Sequence, residues 1–193
     1  MVNYNISYSN MHTIASISLK ENHTSTIGLL QKEDAAALYD YLNGLSAESR
    51  SRFGPHTFDR DTIDFICNNL NDDVQRYVAI VDNSIVAYML IKRGMTDADA
   101  ERYAQKQLFF DRATTVTYAP SVADNFQNSG LGSAIFAVIL QQIKIQGNHI
   151  IILWGGVQAT NARAVHFYTK HGFESKGNFR FDDKDNIDML LNV

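Results

Sequence analysis

Hydrophobic positions along the chain change period several times, and each change marks an element. Residues 3–8 and 14–19 alternate apolar and polar side chains (Tyr4, Ile6, Tyr8, then Ala15, Ile17, Leu19). That two-residue period predicts two half-buried strands, paired as a hairpin across Ser9 and Asn10. A short strand over 25–30 leads into a helix whose apolar face is Ala36, Leu38, Tyr41, Leu42 and Leu45. Ser46 offers an N-cap for the next helix, with Gly54 and Pro55 as its stop, and a further helix is predicted over 61–70. The runs RYVAIVD and SIVAYMLIKR are rich in β-branched residues and meet at Asp82-Asn83-Ser84, a hairpin signal.

Beyond Gly94, Thr96 and Asp99 fit a capping box, and the acids that follow Thr96 stand where a helix dipole favours negative charge. A short helix with a solvated acidic start is expected there. ATTVTYAPSV reads as a strand, GLGSAIFAVILQQIKIQG as a long helix and HIIILWGGV as one buried strand. NARAVHFYTKHG reads as a helix ending at Gly172, and FESKGNFRF with NIDMLLNV as a closing strand pair. Asp182, Asp183 and Asp185 form the turn of that pair, without the spacing of a calcium loop. A strand–helix–strand crossover occurs only in the second half. The fold class is therefore α/β (α+β), a single domain with a mixed, largely antiparallel sheet flanked by helices.

Composition narrows the functional classes. A chain of 193 residues, 45% hydrophobic and with two prolines, suits one domain with a sizeable core. A net charge of −4, with acids and bases interspersed, gives no basic face for nucleic acid. The N-terminus lacks a basic region followed by an apolar run, and no stretch could span a bilayer, so a cytoplasmic protein with no membrane partner is expected. Cys67 is the single cysteine; beside the Ile63, Ile66 and Leu70 stripe it reads as a buried structural thiol. The six histidines show no metal-ligand spacing, and no metal is expected.

The segment FQNSGLGSAIF carries the clearest chemistry. A Gly-x-Gly turn at a helix entrance can hold an anion on its backbone amides. Ser133-Ala134 stands where a P-loop needs its lysine, and Ile135 where a dinucleotide fingerprint needs a small residue, so both of those readings fail. A turn that cradles a pyrophosphate on amides of Asn128, Ser129, Gly130, Leu131, Gly132 and Ser133 fits, and a plain glycine turn before a helix is the structural alternative.

The flanking residues decide between them. VADNFQNSGLG resembles the V-x-P-x-(aromatic)-[Q/R]-x-x-G-x-[G/A] signature of the GNAT superfamily of acyl-CoA-dependent N-acyltransferases. Val122, Phe126, Gln127, Gly130 and Gly132 match, whereas Asp124 replaces the proline. About thirty residues later NARAVHFYTKHGF resembles the second signature, N-x-x-A-x-x-(apolar)-Y-x-x-x-G-F, through Asn161, Ala164, Phe167, Tyr168, Gly172 and Phe173. The likeness spans 25–193, the N-acetyltransferase domain; 1–24 forms an N-terminal extension, and 94–112 is longer than the family's usual connection.

The resemblance implies two splayed central strands with the acyl-CoA arm lying between them. The backbone at Val122 would bind that arm and the acetyl carbonyl, the seven amides from Gln127 to Ser133 the pyrophosphate, Asn161 the pantetheine, and Tyr168 would stand near the thioester sulfur as the acid. Asn161 and Tyr168 are two helical turns apart and so share a face, with the small Ala164 between them. The implied activity is transfer of an acetyl group from the co-substrate acetyl-CoA to a primary amine by direct attack in a ternary complex. The alternative is a non-catalytic acyl-CoA-binding regulatory domain. The expected partner is a small-molecule or peptide amine, and a homodimer is compatible with the family. Asp111 and Asp124 are candidates for the base, Tyr118 and Trp154 for the acceptor wall, and the 95–109 segment for the choice of amine. Gly155-Gly156 indicates either close approach of a ligand or backbone, or a bulge.

Overall fold

The computed structural model describes residues 13–18 and 24–193. Nine strands make one sheet: β1 (Thr13–Ser18), β2 (Thr24–Leu29), β3 (Val74–Val81), β4 (Ser84–Arg93), β5 (Thr115–Val122), β6 (Ile150–Leu153), β7 (Val157–Gln158), β8 (Glu174–Phe181) and β9 (Lys184–Asn192). Among the described residues six α-helices surround it: α1 (Ala35–Gly44), α2 (Ala47–Ser51), α3 (Arg60–Asn68), α4 (Asp97–Gln105), α5 (Leu131–Ile145) and α6 (Ala162–Lys170). The strand order is β1-β2-β3-β4-β5-β6-β9-β7, with β8 on the far side of β9. Every pairing is antiparallel except β5–β6, the crossover through α5.

Layering follows from alternation along the strands. β4 is buried without a break from Ile85 to Ile91 because helices cover both of its faces. Ala87, Met89 and Ile91 face α5 and α6, where Ile135, Phe136, Ile139 and Tyr168 complete the core. Tyr88 and Leu90 point the other way, against Leu38 and Leu42 of α1 and Ile63 and Ile66 of α3. α4 covers the sheet through Tyr103, which packs on Ile152 and Leu190 and donates its hydroxyl to the Met189 carbonyl at 3.1 Å. Cys67 sits in the α1–α3 core, and burial pushes its thiol up to about 11, as an inert core thiol requires.

Local signals place most elements. Asp82 and Asn83 both take left-handed backbone (φ 48° and 60°), the geometry of a two-residue turn whose twist matches its strands. Asp182 and Asp183 repeat it between β8 and β9 (φ 49° and 55°). Ser46 caps α2 by accepting from the Ser49 N–H, and that helix ends at Ser51, short of Gly54.

Three expectations change. The strand expected over 14–19 is β1, and its observed partner is β2; the 3–8 segment lies outside the described residues. The single strand expected over HIIILWGGV is two, because Gly155 and Gly156 (φ 66° and 68°) turn the chain between β6 and β7. A side chain at Gly156 would collide with the Ile187 carbonyl at 2.7 Å, so close backbone approach explains that glycine. The start of α4 is solvated only in part: Asp97 is exposed, but Asp99 is wholly buried.

Candidate functional site

The sheet opens where β5 outlasts β6. The two strands pair from Thr115↔Ile150 to Tyr118↔Leu153, and a last bond runs from the Trp154 N–H to the Tyr118 carbonyl at 3.0 Å. The Gly155-Gly156 turn then carries the chain along β9, while β5 continues beside β4 to Val122. A cleft of about 830 Å³ occupies the gap. At one end of β5 the Gly94 N–H donates to Thr115, and at the other the Ala123 N–H donates to Val86, both at 2.8 Å. Odd-numbered β5 residues therefore bond to β4, and the even-numbered ones turn their polar groups toward the gap. Pro120 has no N–H to offer there. Val122 does, and its carbonyl accepts from the Gln127 side-chain amide at 2.9 Å.

The turn after β5 aims further amides at the cleft. Asn128 (φ 61°) and Gly130 (φ 89°) are both left-handed, and the alternation turns successive N–H groups to one side. Gly130 is the N-cap of α5 and has open space where a side chain would stand. The N–H groups of Asn128, Ser129, Gly130, Gly132 and Ser133 have no acceptor among the described residues. Two of the seven expected amides are occupied: Gln127 donates to the Asp124 carbonyl at 3.3 Å, and Leu131 to the Ser129 hydroxyl at 3.3 Å. Leu131 contributes a fully buried side chain instead.

α6 forms the opposite wall. Asn161 caps it, accepting from the Ala164 N–H at 3.2 Å, and its Oδ1 also meets the Arg52 guanidinium at 3.4 Å. Asn161, Ala164 and Tyr168 all line the cleft, as their shared face requires. Tyr168 is 8% exposed, its ring is wedged between Phe167 and Phe173, and its hydroxyl has no partner among the described residues. Burial pushes that hydroxyl well above the ordinary tyrosine value, so it stays protonated at neutral pH. His171 extends this wall toward the turn, its Nε2 3.0 Å from the Ser133 hydroxyl, and burial followed by the charge of Lys170 holds its imidazole below the usual value.

The remaining walls come from distant parts of the chain. Ser49 of α2 donates to Asp124 Oδ1 at 2.6 Å, and the Ser46 N–H donates to Asp124 Oδ2 at 2.8 Å. α4 meets the cleft through Asp99, whose Oδ1 accepts from the Gly155 N–H at 3.1 Å and from Arg102. Asp99 Oδ2 accepts from the Thr96 hydroxyl at 2.7 Å. Arg102 reaches on to the buried Asp188 at 3.1 Å, which Lys106 also meets. Two carboxylates and two cations thus balance, and they hold α4 on β9 beside the β6–β7 turn.

Every residue expected to bind the coenzyme or to act as the acid lies at the cleft except Ser129 and Leu131, which belong to the turn without lining the gap. Tyr118 and Trp154 line it too. The two expected bases do not serve. Asp111 lies beyond the opposite end of β5, exposed, accepting from the Ala113 N–H at 2.8 Å. Asp124 is committed to Ser46 and Ser49, and those donors hold its carboxyl below the usual range. Sequence reasoning missed Ser49, Arg52, Phe53, Asp99, Arg102, Phe179 and Lys184. Only Asp99 carried a signal, an acid three residues before an arginine on one helix face.

A splayed sheet with an amide-lined turn at one end and a buried tyrosine in the gap thus makes up the candidate site. The family model for the acetyltransferase (GNAT) family matches residues 38–173, and the chain belongs to that family. Among solved structures, the GNAT domain of S. lividans PAT is 17% identical with a TM-score of 0.73, covering 93% of this chain and 96% of that one. Ribosomal-protein-S5-alanine acetyltransferase from Vibrio fischeri is 13% identical with a TM-score of 0.68, covering 92% and 96%. The aminoglycoside acetyltransferase AAC(6')-Ib, solved with coenzyme A, is 19% identical with a TM-score of 0.66, covering 87% and 94%. No curated protein matches the chain by sequence. Among the described residues no helix is long and apolar enough to cross a membrane.

Proposed function

We propose that this chain is an N-acetyltransferase that moves an acetyl group from acetyl-CoA to a primary amine. The carrying observation is the gap between β5 and the β6–β7 turn, with the Val122 N–H facing it and the unpartnered Tyr168 hydroxyl inside it. The free amides of the 128–133 turn suit the coenzyme's pyrophosphate, and Arg163 and Lys170 on α6 add cations along the same wall. Asn161 keeps its side-chain NH₂ free for an amide carbonyl of the pantetheine arm while its Oδ1 caps the helix.

In the reaction a C–N bond forms, the C–S bond breaks, one proton leaves nitrogen and one reaches sulfur. The Val122 N–H stabilises the negative charge that develops on the acyl oxygen. Tyr168 supplies the proton to the departing thiolate, its own proton retained by burial until then. An alkyl ammonium at pH 7 stands about 3.4 units below its reference pKa, which costs about 4.6 kcal/mol to deprotonate. The apolar side chains of Phe53, Met89 and Trp154 at the cleft disfavour the ammonium form and offset part of that cost.

Thiol release from acetyl-CoA with an amine panel tests this reading. Tyr168→Phe should lower kcat about a hundredfold, with the calorimetric acetyl-CoA affinity within about twofold of wild type. No acetyl-CoA binding, or full turnover by the phenylalanine variant, would contradict the assignment.

A further inference from the structure

The mouth of the cleft bears on which amine enters. It is walled by aromatic rings from three separate segments: Phe53 after α2, Trp154 after β6, and Phe179 and Phe181 on β8. Phe179 is fixed on both sides. A side chain at Gly156 would come within 2.8 Å of its Cε1, and the Arg102 guanidinium lies 4.0 Å over its ring centroid. Arg102 is itself held by Asp99 and Asp188, so the ring is backed by a cation with no charge left to offer.

The charges at the cleft are as telling. Among the described residues its lining carboxylates are Asp99 and Asp182. Asp99 is consumed by Thr96, Arg102 and the Gly155 N–H, which leaves Asp182, exposed at the tip of the β8–β9 hairpin. Cations face the mouth instead. Arg52 is bridged to Glu48 at 2.7 Å, and among the described residues Lys184 has the Ser51 carbonyl at 3.4 Å and no carboxylate partner. A polycation would have to desolvate each ammonium beside these cations and against aromatic rings, with one solvated acid to receive it. A single amine faces a different balance, because the apolar wall that repels its charged form also promotes the neutral form that attacks.

We propose that the acceptor is a primary amine carried on an apolar or aromatic body, with no second cationic group. The inference rests on the N-acetyltransferase reading above and narrows it to a substrate class. The rings of Phe53, Trp154 and Phe179 take the body of the acceptor, and Lys184 discriminates against additional positive charge.

The test is thiol release by the full chain with 2-phenylethylamine, n-butylamine, spermidine and paromomycin, beside calorimetry with acetyl-CoA. The aromatic monoamine should exceed spermidine in kcat/KM by at least about tenfold. Phe179→Ala should lower its kcat/KM about tenfold relative to n-butylamine. Lys184→Glu, an exposed change that leaves the fold in place, should raise spermidine turnover about threefold by removing one like charge. A preference for spermidine or paromomycin, or a Lys184→Glu variant with unchanged selectivity, would overturn the substrate class and leave the transferase reading intact. Acetyl-CoA binding without thiol release from any amine would overturn both.

Discussion

The two halves of the cleft are built by different means. The half formed by the end of β5, the 123–130 turn and the head of α5 is one continuous stretch of chain, and its functional groups are backbone amides. The half formed by α2, α4 and the β8–β9 hairpin is assembled from side chains far apart in sequence. Ser49 meets Asp124 across 75 residues, Arg102 meets Asp188 across 86, and Gln158 meets the Ser51 carbonyl across 107. A backbone-built site depends on a few φ/ψ choices, and any sequence that allows them preserves it. A side-chain-built site depends on the identity of each partner. On the proposed assignment, the coenzyme side can thus stay constant while the amine side varies.

Breaking each half separately should make that contrast measurable. The largest effect belongs to Asp188→Ala. It leaves Lys106, whose side chain is 25% exposed, without its buried partner and Arg102 with Asp99 alone. Loss of one member of such a group costs about 3 kcal/mol. Urea unfolding should show this as a lowered midpoint, and amine KM should rise while the acetyl-CoA affinity of the folded fraction holds. Gly130→Ala should act on the other half. No atom crowds that position, so the cost is conformational alone, about 1–2 kcal/mol for a left-handed alanine. The acetyl-CoA dissociation constant should rise about tenfold, with amine KM unchanged at saturating acetyl-CoA. Equal effects of the two variants on both substrates would erase the distinction between the halves.

The same contrast explains what could be read in advance. Val122 and Tyr168 were legible through the two signatures that they belong to, whereas the Gly130 turn, the Asn161 cap and the face that Asn161 shares with Tyr168 were legible because their constraints are local. The hairpins at Asp82-Asn83 and Asp182-Asp183 were legible for the same reason. Asp99 was misjudged because an acid in a first helical turn ordinarily faces water; only the tertiary meeting with Gly155 and Arg102 buries it. Phe179 and Lys184 gave no signal, since nothing within β8 or β9 specifies that their hairpin reaches α2. The split of β6 from β7 was half legible: the glycine pair marked the place, but whether it served a ligand or the backbone depended on Ile187 and Phe179, more distant along the chain.

Asp124 is the residue that joins the halves, and the smallest effect should be seen there. It stands two residues beyond the last strand residue, Val122, where the family pattern has proline, and its carboxylate accepts from the Ser46 N–H, the Ser46 hydroxyl and the Ser49 hydroxyl of the amine side. Asp124→Asn keeps one acceptor and removes the charge, at a cost of about 1 kcal/mol. Because it touches both halves, it should weaken acetyl-CoA and amine together, each about twofold to threefold, unlike either variant above. The pH dependence identifies the charge as the cause. The Ser46 N–H and then the Ser49 hydroxyl hold the folded carboxyl below its usual range, while the unfolded value is about 3.9. Between those two values the unfolded chain binds the extra proton, so the stabilisation is whole above about pH 4 and is lost as pH falls through the folded value. Urea midpoints of wild type and Asp124→Asn should therefore differ by a constant amount from pH 7 to about pH 5 and converge below about pH 4. A difference that persists unchanged into acid would mean that shape alone, and not the carboxylate's charge, ties α2 to the turn.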